Sequence, residues 1–334
     1  MTLKEIAERA GVSRGTIDRV IKNRGGVNRQ TERRVRRILQ ESGYTPNRAG
    51  VALVRSKRPM IVGVVTNSVG NPFFDEVNAG VERAREEYGD YGFSILRREI
   101  KGYDVQEQLI AMRGLYDEVD GLVFTPIDDG AIAAEANRFS AAGKPVITVT
   151  ADLEGSLRDL YVGCDYFKSG QTAAKLTELA TGGKGDVAIV TGSFKMLGHN
   201  ARVRGFCSVA EKTQLRVADI LECDDDDSIA YRKTLALLKA RPDIRAVYVA
   251  AAGVAGTVEA VTESGVALSV IANDIIPATR EYVREGKVIA TIDQQPAAQG
   301  YTALKSMFDI LLGKRPEREH VYTDLAIRMR YNID

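Results

Sequence analysis

The side chains with the most pointed chemistry lie in Ser13-Arg14-Gly15-Thr16-Ile17-Asp18-Arg19-Val20-Ile21. Wound as a helix, this stretch turns Ile17, Val20 and Ile21 inward and leaves Arg14, Gly15, Asp18 and Arg19 outside, with Thr16 between the faces. An arginine so placed suits bidentate hydrogen bonding to O6 and N7 of a guanine, whereas Gly15 has no side chain to read with. Asp18 is repelled by phosphates unless it accepts from a cytosine amine or pairs with Arg14 or Arg19. A second set of polar residues follows short apolar runs: Asn67, Ser68 and Asn71, then Asp128-Asp129, Asp152, Asp165, His199 to Arg202, Asn273-Asp274 and Asp293-Gln294. With Phe73-Phe74 beside the first of them, this mixture suits a neutral polyol. Carboxylates and amides bind its hydroxyls, and an aromatic face covers its C-H surface. No cluster of Lys and Gly favours a phosphate.

Short elements must hold the first set. Thr2-Leu3-Lys4-Glu5 reads as a capping box, Leu3, Ile6, Ala7 and Ala10 share one helical face, and Gly11 can take the positive φ that ends the helix. Ser13 caps a second helix. A third, Gln30 to Ser42, is capped by Asn28 and buries Val35, Ile38 and Leu39. Three short helices with a glycine turn between the first two make a helix-turn-helix. Charge agrees: up to Pro59 there are 15 Lys and Arg against 5 Asp and Glu, and beyond it 31 against 40. A basic head on an acidic body points to a nucleic-acid-binding module joined to a part that does not bind nucleic acid.

After Pro59 short apolar runs alternate with amphipathic helices. Strands are expected near Ile61 to Thr66, Phe93 to Arg97, Gly121 to Thr125 and Pro145 to Thr150. A second series lies near Val187 to Thr191, Val217 to Glu222, Val247 to Ala251, Ser269 to Asn273 and Val288 to Ile292. Such alternation argues for parallel sheets covered by helices, here in two doubly wound lobes. Ligands of these sheets bind beyond the carboxyl ends of the strands, which is where the second polar set falls.

Other classes find little material. Cys164, Cys207 and Cys223 are widely spaced, without a C-x-x-C, so neither a disulfide framework nor a zinc site is implied, and a reducing cytoplasm fits. The charged N-terminal segment is no secretory signal, and no run reaches the length of a membrane span. Thr191-Gly192-Ser193 with Gly198, and Gly253-x-x-Gly256, lack dinucleotide-binding spacing, and Gly182-Gly183-Lys184-Gly185 is a turn rather than a phosphate loop. With two histidines, His199 and His320, a triad or metal site is not expected. Asp224 to Asp227 reads as a solvated acidic loop, since its spacing lacks the EF-hand pattern. No catalytic residue, metal or cofactor is expected.

Leu3-Lys4-Glu5-Ile6-Ala7, Ala10-Gly11-Val12-Ser13, Thr16-Ile17, Arg19-Val20 and Gly43-Tyr44-x-Pro46-Asn47 resemble the DNA-binding head of the LacI/GalR family. The resemblance implies base reading by Arg14 and Gly15, with Thr2, Ser13, Thr16, Arg19, Asn28 and Arg48 also at the DNA. It implies a hinge helix over 47–59 that orders on operator DNA, with Leu53 wedged into a minor-groove step. Gly50 stands where the family usually has Ala and lowers helix propensity by about 1 kcal/mol. From Ile61 onward, Asn71-Pro72-Phe73-Phe74, Asp120-Gly121, Gly163-x-Asp165, Arg202-x-x-Gly205-Phe206 and Asn273-Asp274 resemble the periplasmic sugar-binding-protein fold of these regulators. This implies a sugar site lined by Asn71, Phe73, Phe74, Asp128, Arg202, Asp274 and Gln294, to which the strand-end position adds Asn67, with Asp165 a further candidate. One departure is Ala250-Ala251-Ala252-Gly253, where many relatives have an Asn-Asp pair.

The expected architecture is α/β. An all-α helix-turn-helix head (1–46) and hinge (47–59) precede a two-lobed, doubly wound, periplasmic binding protein type I-like domain (60–334). Lobe one would take 60–162 and 294–322, and lobe two 163–293 and 323–334. The expected function is a cytoplasmic, homodimeric repressor that binds a pseudo-palindromic double-stranded operator and a small sugar or polyol effector. A sugar-binding module with a non-reading head and a Rossmann-type NAD-dependent dehydrogenase are the alternatives.

Overall fold

The computed structural model describes residues 3–21, 25–42 and 59–333. The hinge segment, and with it Arg48, Gly50 and Leu53, lies outside the described residues, as does Thr2. The head is three helices, α1 (Leu3–Ala10), α2 (Arg14–Ile21) and α3 (Arg29–Glu41). Ile6, Ala10, Ile17, Val20, Val35 and Ile38 close into one small core, as their helical spacing requires.

The body holds two six-stranded sheets of matching order. In the first, β1 (Met60–Thr66), β2 (Phe93–Glu99), β3 (Gly121–Phe124), β4 (Val146–Val149), β5 (Leu160–Gly163) and β11 (His320–Tyr322) run β11-β5-β4-β3-β1-β2, all parallel. In the second, β6 (Lys184–Thr191), β7 (Gln214–Glu222), β8 (Ile244–Val249), β9 (Ser269–Asn273), β10 (Ala290–Asp293) and β12 (Ala326–Arg328) run β12-β10-β9-β8-β6-β7. Only β12 is antiparallel to its neighbour there. Four elements lie outside the sequence expectation: the short edge strands β11 and β12, β5, and the helix that follows it. A three- or four-residue strand gives too few alternations to register.

Helices cover both faces of each sheet, so the central strands are apolar throughout rather than alternating. In lobe one, Val62 and Val64 pack on α4 (Phe73–Gly89) and α12 (Pro296–Leu311), while Val65, Leu122 and Phe124 face α5 (Val105–Leu115) and α6 (Gly130–Ala141). Lobe two repeats the plan with α7 (Tyr166–Thr181), α8 (Leu197–Ala210), α9 (Asp227–Ala240), α10 (Val254–Ser264) and α11 (Pro277–Glu285). The chain crosses between lobes three times: after β5, after β10 and after β11. None of the described helices is long and apolar enough to cross a membrane.

Helices α4 and α12 touch backbone to backbone. A Cβ on Gly80 would stand 2.0 Å from the Ala297 carbonyl oxygen, and one on Gly300 would stand 2.1 Å from that of Val77. The helices approach this closely only because both positions lack a side chain. Gly300→Ala is therefore expected to destabilise the protein by about 1–3 kcal/mol, as overpacking does. Gly114→Ala, on the open side of α5 with nothing within 4 Å, should be neutral or stabilising by helix propensity. Urea unfolding midpoints of the two variants check this, and equal midpoints would contradict it.

Candidate functional site

Local chemistry builds the head's exposed edge. Gly11 turns the chain with φ +61°, and the Ser13 Oγ accepts the Thr16 amide at 3.1 Å, satisfying a free donor at the start of α2. The Thr16 hydroxyl is tied to the same Ser13 Oγ at 2.9 Å, so this pair fixes the end from which Arg14 and Gly15 project into solvent. Arg19 is exposed one turn later. Asn28 caps α3 by accepting the Gln30 amide at 2.8 Å. On α3, Arg36 pairs with Glu32 at 2.7 Å and Arg37 with Glu41 at 3.8 Å, whereas Arg33 and Arg34 are exposed.

The second site is the cleft between the lobes. The carboxyl ends of β1, β3 and β4 face those of β6, β8, β9 and β10 across it. Seven of the nine expected residues line it: Asn67, Asn71, Phe73, Phe74, Arg202, Asp274 and Gln294. Asn71 accepts the Phe73 amide at 3.1 Å, which starts α4 and sets the two phenyl rings edge to face at 5.3 Å. Arg202 is 2% exposed. Its Nη1 donates to the Ala250 carbonyl at 2.7 Å, and its guanidinium lies 4.7 Å from the centre of the Tyr166 ring. Its Nε and Nη2, and the Nδ2 of Asn67 in the opposite lobe, are buried without a hydrogen-bond partner. A buried donor left unpaired costs about 1–3 kcal/mol, more when charged, so this wall suits a ligand rich in acceptors.

Asp274 supplies the complementary acceptor. Burial raises its carboxyl above the ordinary value, against the opposing pull of Arg202 and of the Gln294 amide, whose Nε2 donates to Asp274 Oδ1 at 2.7 Å. His199 also lines the cleft. Burial lowers its pKa, and its Nδ1 accepts the Ser193 amide at 3.0 Å, so near neutral pH the ring is an uncharged wall. The free space enclosed is about 60 Å³, room for a handful of waters at about 10–15 Å³ each.

Two expected residues are placed elsewhere. Asp165 caps α7 through the Lys168 amide at 3.0 Å and pairs with the Lys168 ammonium at 3.0 Å. Asp128 contributes its backbone, donating from N-H to the Lys195 carbonyl at 2.9 Å. The acidic run also differs from a plain solvated loop. Asp226 caps α9, Asp227 accepts the Gly256 amide at 3.1 Å, and Asp225 turns into the cleft. Sequence reading passed over Tyr103, Thr125, Thr150, Tyr166, Met196 and Asp225, because none stands in a pattern distinct from core or loop. Ala251 and Ala252 line the cleft where an amide was missed, so this part of the wall offers no side-chain hydrogen bond.

Two family descriptions match the chain, "Bacterial regulatory proteins, lacI family" over residues 2–47 and "Periplasmic binding protein domain" over residues 62–315. Among characterised proteins, the ribose import binding protein RbsB of Bacillus subtilis is 27% identical over 79% of this chain and 85% of its own. The HTH-type transcriptional regulator MalR of Clostridium butyricum is 25% identical over 98% of this chain and 97% of its own. Among solved structures, the glucose-galactose binding protein GanP of Geobacillus stearothermophilus superposes with a TM-score of 0.77 at 26% identity. It covers 83% of this chain and 99% of GanP.

The Asp274 carboxyl gives a direct test of the cleft electrostatics. Its raised value means the folded protein holds this proton to higher pH than the unfolded chain does, so stability falls as pH climbs from about 4 through the native value. Asp274→Asn removes that titration and keeps an acceptor for Gln294. Its melting temperature should therefore decline less than the wild type's between about pH 4 and pH 7. Parallel curves would show that burial does not outweigh Arg202 and Gln294 at this carboxyl.

Proposed function

We propose, for a chain that belongs to the periplasmic binding protein domain family and carries a lacI-family head, a sugar-controlled DNA-binding function. It is a homodimeric, cytoplasmic repressor in which one small sugar or polyol, held between the lobes, sets operator affinity. The observation that carries the reading is the opposition of unpartnered buried donors, Asn67 from lobe one and Arg202 from lobe two, in one narrow cleft. A ligand with several hydroxyl oxygens satisfies both at once and so has a reason to prefer the closed arrangement.

Within this reading Phe73 and Phe74 cover the C-H surface of the ligand, and Asp274 and Gln294 orient its hydroxyls. The modest free space favours a single ring. Chain segments divide as 1–46 for DNA reading, 47–59 for a hinge with Leu53 at the minor groove, and the remainder for effector binding and dimerisation. Lobe one takes 60–162 and 294–322, and lobe two takes 163–293 and 323–334. The ligand is bound and released unchanged. Similarity to RbsB, MalR and GanP supports both halves of the assignment.

Two measurements test it. A thermal-shift screen over pentoses, hexoses and cyclitols should find at least one compound that raises the melting temperature in a concentration-dependent way, as binding to the native state requires. A shift with NAD and with no polyol would overturn the effector assignment. In gel-shift titrations Arg14→Ala should lose about 1–3 kcal/mol of discrimination between the operator and a site mutated at the contacted guanine. Non-specific binding should change little, and intact discrimination would remove Arg14 as the reader.

A further inference from the structure

At the mouth of the cleft the lobes are bonded directly to each other. Tyr103, in the loop between β2 and α5 of lobe one, donates its hydroxyl to the Asp225 carboxylate of lobe two. The backbone of lobe one adds the Asp128 amide, which donates to the Lys195 carbonyl at 2.9 Å. The Lys195 ammonium returns to the Tyr103 carbonyl at 3.4 Å. The Tyr103 ring stands edge-on to His199 at 6.3 Å. Every bond in this set joins protein atoms, so none needs a third molecule.

Asp225 is held for this contact. It and Asp224 take left-handed backbone angles, φ +59° and +51°, which residues with side chains seldom adopt. The turn is fixed by the Asp224 amide on the Gly192 carbonyl at 2.9 Å and by the Asp226 cap of α9. The two carboxylate oxygens of Asp225 are then divided. Oδ1 accepts the Ala252 amide of its own lobe at 3.2 Å, and Oδ2 accepts Tyr103 of the other. One oxygen thus anchors the side chain and the other is presented across the cleft. Burial, reinforced by the Asp225 charge, keeps the Tyr103 phenol protonated and donating.

We infer that Tyr103 and Asp225 form a latch that holds the lobes closed independently of the effector and sets how readily an effector enters. Opening of the cleft, and with it entry of an effector, requires this bond to break. Removing the latch opens the cleft more often. Ligand-free lobe closure then becomes the quantity that a bound polyol must supply, and apparent effector affinity moves with the closed fraction. The effector consequence rests on the function proposed above, whereas the latch does not.

Hydrogen exchange of the full-length, ligand-free protein tests it, because the Asp128 amide is protected by a bond across the lobes. In Tyr103→Phe, which removes one hydroxyl from a charge-assisted bond, that amide should exchange about tenfold faster than in the wild type. The Val247 amide inside the second sheet should not change. Asp225→Asn, which keeps a neutral acceptor, should give a smaller acceleration. Unchanged Asp128 exchange in both variants would overturn the latch. Acceleration at Val247 as well as Asp128 in both variants would also overturn it, since opening would then be global rather than local. If latch variants show the expected exchange while no polyol binds wild type or variant, the effector reading fails and the latch stands.

Discussion

Gln294 sits where the three chain crossings between the lobes come together, and the geometry of the body depends on how that residue is bonded. Its backbone carbonyl accepts the Gln299 side-chain Nε2 at 2.8 Å and the Thr323 hydroxyl at 2.7 Å. Thr323 also reaches the Gly163 carbonyl at 3.2 Å. The Gln294 side chain takes the Cys164 thiol on Oε1 at 3.2 Å and gives its Nε2 to Asp274. One buried glutamine therefore binds the segment after β5, the segment after β10 and the segment after β11, and ends in the ligand cleft. Burial makes each of these bonds count for more than it would in water, and makes the loss of any one costly to the rest. A change at Asp274 reaches the crossings between the lobes through a single side chain.

From this knot the division of labour follows. The central strands are apolar on both faces, and in lobe one the helix pair over them meets at glycine, so each lobe packs as a unit and relative motion falls to the crossings. The far side of the cleft is where the lobes touch again, at Tyr103 and Asp225. The chain enters lobe one at Met60, at the end of the strands remote from the cleft.

Much of this was legible in the amino acids. Gly11, Ser13 and Asn28 announce helix ends because capping is decided by a residue and its next three neighbours. The central strands are legible because a run such as Val62 to Val65 is buried on both faces. The rule that ligands gather at strand ends located Asn67, Asn71, Arg202, Asp274 and Gln294. Asp128 and Asp165 do not line the cleft: an aspartate at a strand end can equally cap a helix, as Asp165 does, and only the three-dimensional path decides. Asp225 was hidden for the opposite reason: an acidic run looks solvated until the left-handed turn aims one member inward. Tyr103 and Tyr166 are ordinary in sequence and gain their role from residues more than a hundred positions away or in the other lobe.

The account stands on coupling between cleft and operator. Coupling is reciprocal: the factor by which a saturating polyol changes operator affinity must equal the factor by which operator changes polyol affinity, about 5–150-fold for regulators of this kind of energy. Fluorescence anisotropy on labelled operator, titrated with and without the sugar that shifts the melting temperature, measures the first factor, and calorimetry with and without operator measures the second. The account predicts equal factors in the wild type and none in Arg202→Ala, which keeps operator binding. Operator affinity that is unchanged when the wild-type cleft is saturated would contradict it.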